Sequence, residues 1–346
     1  MVAIDCWTTL CRKNHQLDEG NRVMARLFGV FCMCMVGPYS LGLSASQERS
    51  DSFESGRVGF SIMFKGEVTP YRVTGVFVLP NAQLALEAVG GGGSDRFEGR
   101  AEAGELISRQ PRTWRWTAPP ETGLYSVEIQ NQSTGEAIRL NIFVLVPFDE
   151  LLGENLNGYR IGSYPKSPLR GLALYKAPVG FIEVTERNEG TEIVPHFRLR
   201  QFLCKQEGEH PKYVVLNERL LLKLELVLEQ VNQRGHRCDT FHIMSGYRTP
   251  YYNKAIGNVR YSRHVWGGAA DVFVDENPKD EMMDDLNRDG RIDYRDAAVL
   301  YDIIDELYGR SFYERFLGGL GRYKKTSAHG PFVHIDVRGF RARWGQ

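Results

Sequence analysis

Histidine and aspartate residues stand in this sequence in a spacing that suits a divalent metal ion. His264 precedes Asp271, and Gly267-Gly268 between them allows the chain to turn tightly. A histidine in a loop and an aspartate on the following strand can then converge on one ion. Catalytic zinc takes imidazole and carboxylate ligands, usually three from the protein, and leaves one position for water. This stretch therefore predicts part of a zinc site, and metal-assisted hydrolysis as its chemistry.

A second candidate segment is Val333-His334-Ile335-Asp336-Val337, near the C-terminal end of the sequence. Successive side chains of a strand point to opposite faces, so His334 and Asp336 share one face and the apolar residues share the other. A polar pair on an otherwise apolar strand needs a partner. A metal ion would be a suitable one.

Four motifs occur together in the second half of the chain, and together they resemble one known family. They are Ser245-Gly246-Tyr247-Arg248-Thr249-Pro250 with Asn253, Ser262-x-His264-x-x-Gly267-x-Ala269-x-Asp271, Val333-His334-Ile335-Asp336, and Arg343-Trp344-Gly345. In type and order they resemble the zinc D-Ala-D-Ala carboxypeptidase family, which has the hedgehog/DD-peptidase fold. The resemblance covers roughly residues 189–346.

The resemblance implies that His264, Asp271 and His334 ligate zinc, and that Arg248 contacts the substrate or the developing oxyanion. It implies hydrolysis of peptide bonds in peptidoglycan stem peptides or cross-links, by a carboxypeptidase or an endopeptidase. The alternative is a non-catalytic wall-binding or scaffolding protein that keeps the metal site for stability.

The general base is where this sequence departs from the family. Well-characterised members carry a Glu or His two or three residues before the last ligand, but Pro331 and Phe332 stand there in this chain. Neither side chain takes a proton. His329 is the substitute candidate and Asp336 the next, while a solvated loop position for His329 remains equally open.

A second metal site, for calcium, is predicted at residues 285–296 (DLNRDGRIDYRD). The loop has oxygen side chains at positions 1, 3 and 5, glycine at 6 and an apolar residue at 8, as calcium loops do. Position 12 is Asp instead of Glu, and the loop resembles a single dockerin-type repeat. The candidate ligands are Asp285, Asn287, Asp289, Arg291 through its backbone carbonyl, Asp293 and Asp296. We expect calcium to stiffen this insertion beside the cleft; the alternative is an acidic turn without an ion.

The elements that must position these residues form an α+β domain, a hedgehog/DD-peptidase-like catalytic domain over residues 189–346. Leu220, Leu224 and Val231 are among the apolar residues that recur at three- and four-residue spacing, which predicts an amphipathic helix over 217–232. Strands are predicted at 240–244, 269–274 and 332–337, and a second helix at 294–308. Mixed helices and strands in this order indicate the α+β class.

A small all-β sandwich is predicted before this domain, at residues 47–147. Its short runs of Val, Ile, Phe and Tyr are separated by Gly, Pro and Asn. Gly123-Leu124-Tyr125 resembles the tyrosine corner of immunoglobulin-like domains. The sandwich would help to position the protein on the wall or on a partner that the sequence does not identify. Residues 148–188, rich in Gly, Pro and Tyr, are predicted to be an ordered connector.

Residues 1–46 have the order of a secretory signal peptide. Arg22 and Arg26 precede an apolar run at 27–36, small residues follow at 44–46, and Met24 is a possible start. The prediction is a secreted or periplasmic protein without a transmembrane anchor once the leader is removed. Cys204 and Cys238 would then remain, either as a disulfide or as free thiols. Because Lys+Arg and Asp+Glu both count 43, nothing in the net charge favours nucleic acid as a partner.

Overall fold

Alternating apolar and polar residues fold about the first third of the described chain into two β-sheets. The computed structural model of the protein describes residues 52–345. Its first nine strands are β1 (Arg57–Phe64), β2 (Glu67–Tyr71), β3 (Val73–Val78), β4 (Gln83–Gly90), β5 (Phe97–Ala101), β6 (Glu105–Gln110), β7 (Thr113–Thr117), β8 (Gly123–Asn131) and β9 (Ala137–Val144). One sheet has the order β2-β1-β4-β7-β6 and the other β3-β9-β8-β5.

The two sheets share one apolar core. Leu84 and Leu86 on β4 and Trp116 on β7 come from the first sheet, and Leu140 on β9 comes from the second. The Tyr125 hydroxyl donates to the Glu121 carbonyl at 3.2 Å, the type of contact that defines a tyrosine corner. The immunoglobulin-like resemblance itself stays a prediction.

Residues after the sandwich form short strands that lead to the last sheet of the chain, which carries the candidate metal ligands. They are β10 (Val146–Pro147), β11 (Asn155–Leu156), β12 (Tyr159–Arg160), β13 (Gly180–Val184), β14 (Glu192–Val194), β15 (Phe197–Arg198) and β16 (Lys212–Val214). Tyr164, in the segment predicted as a connector, donates its hydroxyl proton to the Val265 carbonyl at 3.0 Å. The connector thus packs against the segment that carries His264.

The last part of the chain contains the helices and the sheet that carries the candidate metal ligands. Its elements are α1 (Glu218–Gln233), β17 (His242–Ser245), α2 (Pro250–Ala255), β18 (Ala269–Phe273), α3 (Tyr294–Asp305), β19 (Gly319–Tyr323), β20 (Phe332–Asp336) and β21 (Ala342–Trp344). The sheet order is β17-β18-β20-β19-β21, and only β19 and β21 run parallel within it. This mixture of helices and strands confirms the predicted α+β fold class.

The helix α1 is buried on more sides than its amphipathic pattern predicts. Asn217 caps its first turn through the backbone N–H of Arg219, and its leucines are buried as expected. Lys223, Glu225 and Glu229 are buried as well. Glu229 pairs with Arg57 of the sandwich, Glu225 contacts His196, and Lys223 donates to the Asp336 backbone carbonyl, so three different parts of the chain cover the charged side chains of the helix.

Several predictions concern residues or properties outside this architecture. The leader at residues 1–46 and the start at Met24 lie outside the described residues. Cys204 and Cys238 are buried free thiols. Within residues 52–345, no helix has the length and apolar character needed to cross a membrane. The boundaries proposed for sandwich, connector and peptidase-like domain stay predictions, since residues 52–345 pack as one unit.

Candidate metal centre

Three side chains that are far apart in sequence meet at the β17-β18-β20-β19-β21 sheet. His264 lies in a short 3-10 turn, Arg263–Trp266, while Asp271 on β18 pairs directly with His334 on β20. Their ligand atoms all lie within 4.8 Å of one another. Asp271 Oδ1 is 2.8 Å from His334 Nδ1 and 3.2 Å from His264 Nε2, and the two ring nitrogens are 3.3 Å apart. The predicted convergence on one point is therefore present.

The turn between His264 and Asp271 depends on Gly267. This residue ends the 3-10 turn with φ of 61°, a left-handed conformation that glycine adopts without strain. A Cβ at Gly267 would also lie 2.1 Å from the Val215 carbonyl oxygen. No other residue type fits there without a backbone shift, so the glycine fixes where His264 stands relative to β18.

Hydrogen bonds from the surrounding backbone and side chains decide which ring nitrogens face the centre. His264 Nδ1 lies 2.7 Å from the Gly246 carbonyl oxygen and acts as the donor there, which leaves the Nε2 lone pair directed at the centre. In His334 the roles are exchanged. Its Nδ1 faces Asp271, and its Nε2 lies 3.3 Å from Asp336 Oδ2.

Asp336, one of the two candidate bases, lies behind His334 and is fully buried. Its carboxylate accepts from Arg338 Nη2 at 2.5 Å, from Arg338 Nε at 2.9 Å and from the Gly319 backbone N–H at 2.7 Å. Burial alone would raise the pKa of Asp336, but His334 and Arg338 outweigh it and hold the pKa far below its usual value. A carboxylate held in this way is suited to orienting His334.

Arg248 and His329, the other predicted catalytic residues, occupy different positions. Arg248 is buried and donates through Nη2 to Asp271 Oδ2 at 2.6 Å and through Nε to Ser245 Oγ at 2.8 Å. His329 is half-buried in the hairpin between β19 and β20. Its Nδ1 contacts the Gly330 carbonyl at 2.8 Å, and its ring lies edge-on to Phe332 at 4.9 Å. The structure thus brings Arg248 to the three ligands and leaves His329 in the adjacent hairpin.

The protonation states of His264 and Asp271 suit a cation, whereas the neighbouring carboxylates favour the protonated ring of His334, which must lose that proton to bind a metal. Burial lowers the pKa of His264 and keeps its ring neutral. Burial would raise the pKa of Asp271, but His264 and His334 outweigh it and the pKa lies well below its usual value. Burial would lower the pKa of His334, yet the carboxylates of Asp271 and Asp336 raise it. Two imidazoles and an ionised carboxylate in a buried group are donors that fit zinc.

In the predicted calcium loop, the acidic side chains accept hydrogen bonds from backbone N–H groups of the loop itself. The carboxylate of Asp285 accepts from the backbone N–H groups of Asp289 at 3.1 Å and Gly290 at 2.7 Å. Asp293 caps α3, and Asp296 accepts from the Asp293 and Asn287 backbone at 2.8 and 3.2 Å. Asn287 Oδ1 and Asp289 Oδ1 likewise accept from the backbone, the latter from Arg291 at 3.0 Å. Calcium at this loop stays a prediction.

Other residues at the centre are apparent only in the folded molecule. No motif marks Arg338 or the Gly319 N–H in advance, although Asp336-x-Arg338 is a spacing that lets two side chains of an extended segment meet. Gly246 and Trp344 lie within two of the four motifs, but the sequence does not show the contacts that they make at the centre. Trp344 lies 5.2 Å from the His334 ring. Its indole therefore forms part of the wall of the centre.

Comparison with known proteins gives one informative match. A family model described as Peptidase M15 matches residues 195–294, a span that contains Arg248, His264 and Asp271 but ends before His334. Together with the His–Asp–His group, this match supports a metallopeptidase of the M15 kind. No curated protein matches the chain.

Two solved structures are similar to parts of the chain. One is described as an alpha-galactosidase/melibiase from Bacteroides fragilis NCTC 9343, with 13% identity and a TM-score of 0.18, covering 27% of this chain and 21% of that chain. The other is the titin M3 domain, with 15% identity and a TM-score of 0.16, covering 25% of this chain and 97% of that chain. At these TM-scores neither likeness bears on fold or function.

Proposed function

We propose that the protein is a zinc peptidase that hydrolyses peptide bonds in peptidoglycan stem peptides or their cross-links, outside the cytoplasm. The observation that carries the proposal is the buried group of His264, Asp271 and His334, whose ligand atoms lie within 4.8 Å of one another. The match of residues 195–294 to Peptidase M15 supports the peptidase class. The substrate class and the location follow from the sequence resemblance and the predicted leader.

The three ligands would hold zinc through His264 Nε2, Asp271 Oδ1 and His334 Nδ1. Zinc, when bound, supplies a Lewis acid that polarises the scissile carbonyl and activates a water. Asp336 and the Gly246 carbonyl orient the two imidazoles through their other nitrogens, so each ring keeps its ligand nitrogen directed at the centre. The chain itself therefore provides a rigid donor set.

Arg248 has two roles in this proposal. It fixes the Asp271 carboxylate through the 2.6 Å bond to Oδ2, which leaves Oδ1 for the ion. A guanidinium carries five N–H donors, and the bonds to Asp271 and Ser245 engage two of them. The remaining donors suit the carbonyl oxygen or a carboxylate of the substrate.

Hydrolysis adds water across the C–N bond, so a base must take a proton from water and return one to the leaving amine. His329 is the better of the two candidate bases. With its Nδ1 donating to Gly330, its Nε2 is free to accept a proton, and the hairpin places it next to β20. The oxygens of Asp336 are already engaged by Arg338 and Gly319.

Calcium at residues 285–296 and wall or partner binding by the sandwich belong to the same proposal. Calcium would replace the backbone N–H groups as the partner of the Asp285 and Asp289 carboxylates and would stiffen the loop before α3. The sandwich would hold the peptidase near its polymeric substrate. Neither is needed for the hydrolytic step.

The test is hydrolysis of purified muropeptides by the protein in three states: zinc-loaded, chelator-treated, and chelator-treated with zinc restored. We expect release of D-alanine or loss of cross-links, detected by mass spectrometry, in the first and third states only. Asp271→Ala is expected to abolish measurable turnover, since it removes one of the three zinc ligands. No turnover by a protein that demonstrably binds zinc would contradict the proposal and favour a non-catalytic wall-binding protein.

A further inference from the structure

The face of β19 that looks toward the metal centre carries glycine at two positions and tyrosine at the third. Gly321 pairs with His334 and Tyr323 with Phe332, so Gly319, Gly321 and Tyr323 share the face on which His334 stands. A Cβ at Gly321 would lie 2.2 Å from the indole nitrogen of Trp344, and one at Gly319 would lie 2.6 Å from the same ring. The missing side chains thus make room for Trp344 to lie across the strand.

Trp344 connects His334 to Tyr323. Its ring is 5.2 Å from the His334 ring, and its Nε1–H donates to the Tyr323 hydroxyl at 2.8 Å. Tyr323 is held from the other side by the Phe332 ring, which stacks on it at 4.5 Å and 7°. The phenol is therefore fixed in plane and in position beside the centre.

The direction of this hydrogen bond determines what the hydroxyl can do. An indole nitrogen only donates, so the Tyr323 oxygen must accept, and its own O–H proton remains available to another acceptor. Within the described residues, 52–345, Trp344 is the hydrogen-bonding partner of this hydroxyl. Burial raises the pKa of Tyr323, so the phenol keeps its proton at neutral pH.

We propose that Tyr323 is a further catalytic residue, which donates its hydroxyl hydrogen bond to the substrate oxygen on which negative charge develops, and that Trp344 is the positioning residue that directs it. The proposal rests on the hydrolytic function proposed above. Arg248 approaches the centre from the Asp271 side, whereas Tyr323 stands on the His334 side. The two donors would thus act on the developing charge from two directions. This gives the C-terminal Arg343-Trp344-Gly345 motif a role in the reaction.

The first measurement uses a probe that does not depend on the substrate. Acetohydroxamate binding to the zinc-loaded protein is measured by calorimetry for the wild type, Tyr323→Phe and Trp344→Phe. We expect Tyr323→Phe to weaken binding at least about tenfold while zinc affinity and melting temperature stay within error of the wild type. Trp344→Phe keeps an aromatic ring but removes the N–H, so we expect a smaller loss in the same direction. Tyr308→Phe, which removes a hydroxyl bonded to the Gly318 carbonyl at 2.9 Å, is the matched control and should bind as the wild type does.

The second measurement is kcat on muropeptides. Loss of one oxyanion donor typically costs about a hundredfold or more, so we expect Tyr323→Phe to lower kcat to that extent with KM changed less than about threefold. Trp344→Phe should cost activity in the wild type but cost nothing further in the Tyr323→Phe background, because it acts through the same hydroxyl.

Three outcomes separate this inference from the proposed function. If the wild type cleaves muropeptides and Tyr323→Phe keeps both kcat and acetohydroxamate affinity within about twofold, the role of Tyr323 is overturned. If Trp344→Phe costs as much in the Tyr323→Phe background as alone, its positioning role is overturned. If no muropeptide is cleaved but Tyr323→Phe still weakens acetohydroxamate binding, the proposed substrate fails and the donor role of Tyr323 is supported.

Discussion

His334 is the residue through which most of the centre is organised. Its Nδ1 faces Asp271 and its Nε2 faces Asp336, which Arg338 in turn holds through several hydrogen bonds. Such outer carboxylates fix the orientation of a ligating imidazole and raise its basicity. The Asp336–Arg338 pair therefore affects how tightly the site binds a metal more than it affects proton transfer.

Asp336→Asn tests this role. An amide at this position presents an N–H to Arg338 or to His334, which leaves His334 without a charged acceptor. We expect the zinc dissociation constant, measured by competition with a chromophoric chelator, to rise about 10–100-fold. Asp305→Asn is the control. Asp305 accepts a hydrogen bond from Arg343 Nε at 2.5 Å and does not contact the candidate metal ligands. Unchanged zinc affinity together with loss of turnover would instead make Asp336 the base.

At the scale of elements, helix α1 carries charged side chains into the core. Lys223 donates to the Asp336 backbone carbonyl at 2.7 Å, and burial lowers the pKa of this lysine to about 7. The helix thus contacts β20, the strand that carries the candidate ligand His334, at Asp336. It also introduces a pH dependence into folding.

The sign of that dependence follows from the lowered pKa. Unfolded Lys223 is charged up to its ordinary pKa near 10.5, whereas the folded protein holds it neutral above about 7. Between these values the unfolded state binds more protons, so Lys223 makes stability rise with pH, with a limiting slope of about 1.4 kcal/mol per pH unit. Below about 7 this contribution is constant.

Lys223→Met removes this titration. Urea unfolding at pH 7 and pH 9.5 should show that the stability of the wild type relative to Lys223→Met increases with pH. Lys205→Met, at an exposed lysine, is the control and should leave the pH dependence of the wild type unchanged. A difference between wild type and Lys223→Met that is the same at both pH values would contradict a lowered pKa.

Calcium binding by the loop before α3, residues 285–296, can be tested through thermal stability. If residues 285–296 bind calcium, adding calcium to zinc-loaded protein raises the melting temperature, since a ligand that binds only the folded state stabilises it. Asp289→Ala should abolish the rise, because it removes the oxygen at position 5 of the loop. Magnesium serves as the ionic-strength control. An unchanged melting temperature in calcium would leave the loop as an acidic turn held by its own backbone.

In the whole molecule, helix α1 joins the sandwich to the β17-β18-β20-β19-β21 sheet, here called the peptidase sheet. Glu229 on α1 is buried and accepts from Arg57 on β1 at 2.6 and 2.7 Å. Arg219 on α1 pairs with Glu67 on β2 at 2.7 Å. Because α1 also packs beneath β20, the sandwich is attached to the same helix that supports the metal ligands.

This attachment predicts coupled unfolding. Zinc should increase the hydrogen-exchange protection of β1 as well as that of β20. Helix α1 contacts both strands, so unfolding on one side of the helix exposes the residues packed on its other side. Arg57→Met should destabilise the whole protein by roughly 1–3 kcal/mol, since it leaves a buried carboxylate unpaired. Arg100→Met, at an exposed pair with Glu98, should cost almost nothing. Separate transitions, with zinc affecting only the peptidase sheet, would show that the sandwich unfolds independently.

Residue type and local spacing predict the chemical groups of the centre. The two imidazoles and the carboxylate, the glycine at position 267 and the polar face of the 332–337 strand depend on residue type and on the two-residue period of a strand. The grouping of these residues into one ligand set comes from the family resemblance, and their role as zinc ligands stays a prediction. The leucine spacing of α1 likewise predicts a helix.

The tertiary structure decided how these pieces are used. Which nitrogen of His334 faces the centre depends on Asp271 and Asp336, and the place of Trp344 depends on the register of β21 beside β19. The buried charges of α1 depend on partners from other segments, Asp336 for Lys223, His196 for Glu225 and Arg57 of the sandwich for Glu229. Such features arise from pairing between segments far apart in sequence, and no local pattern of residues records that pairing.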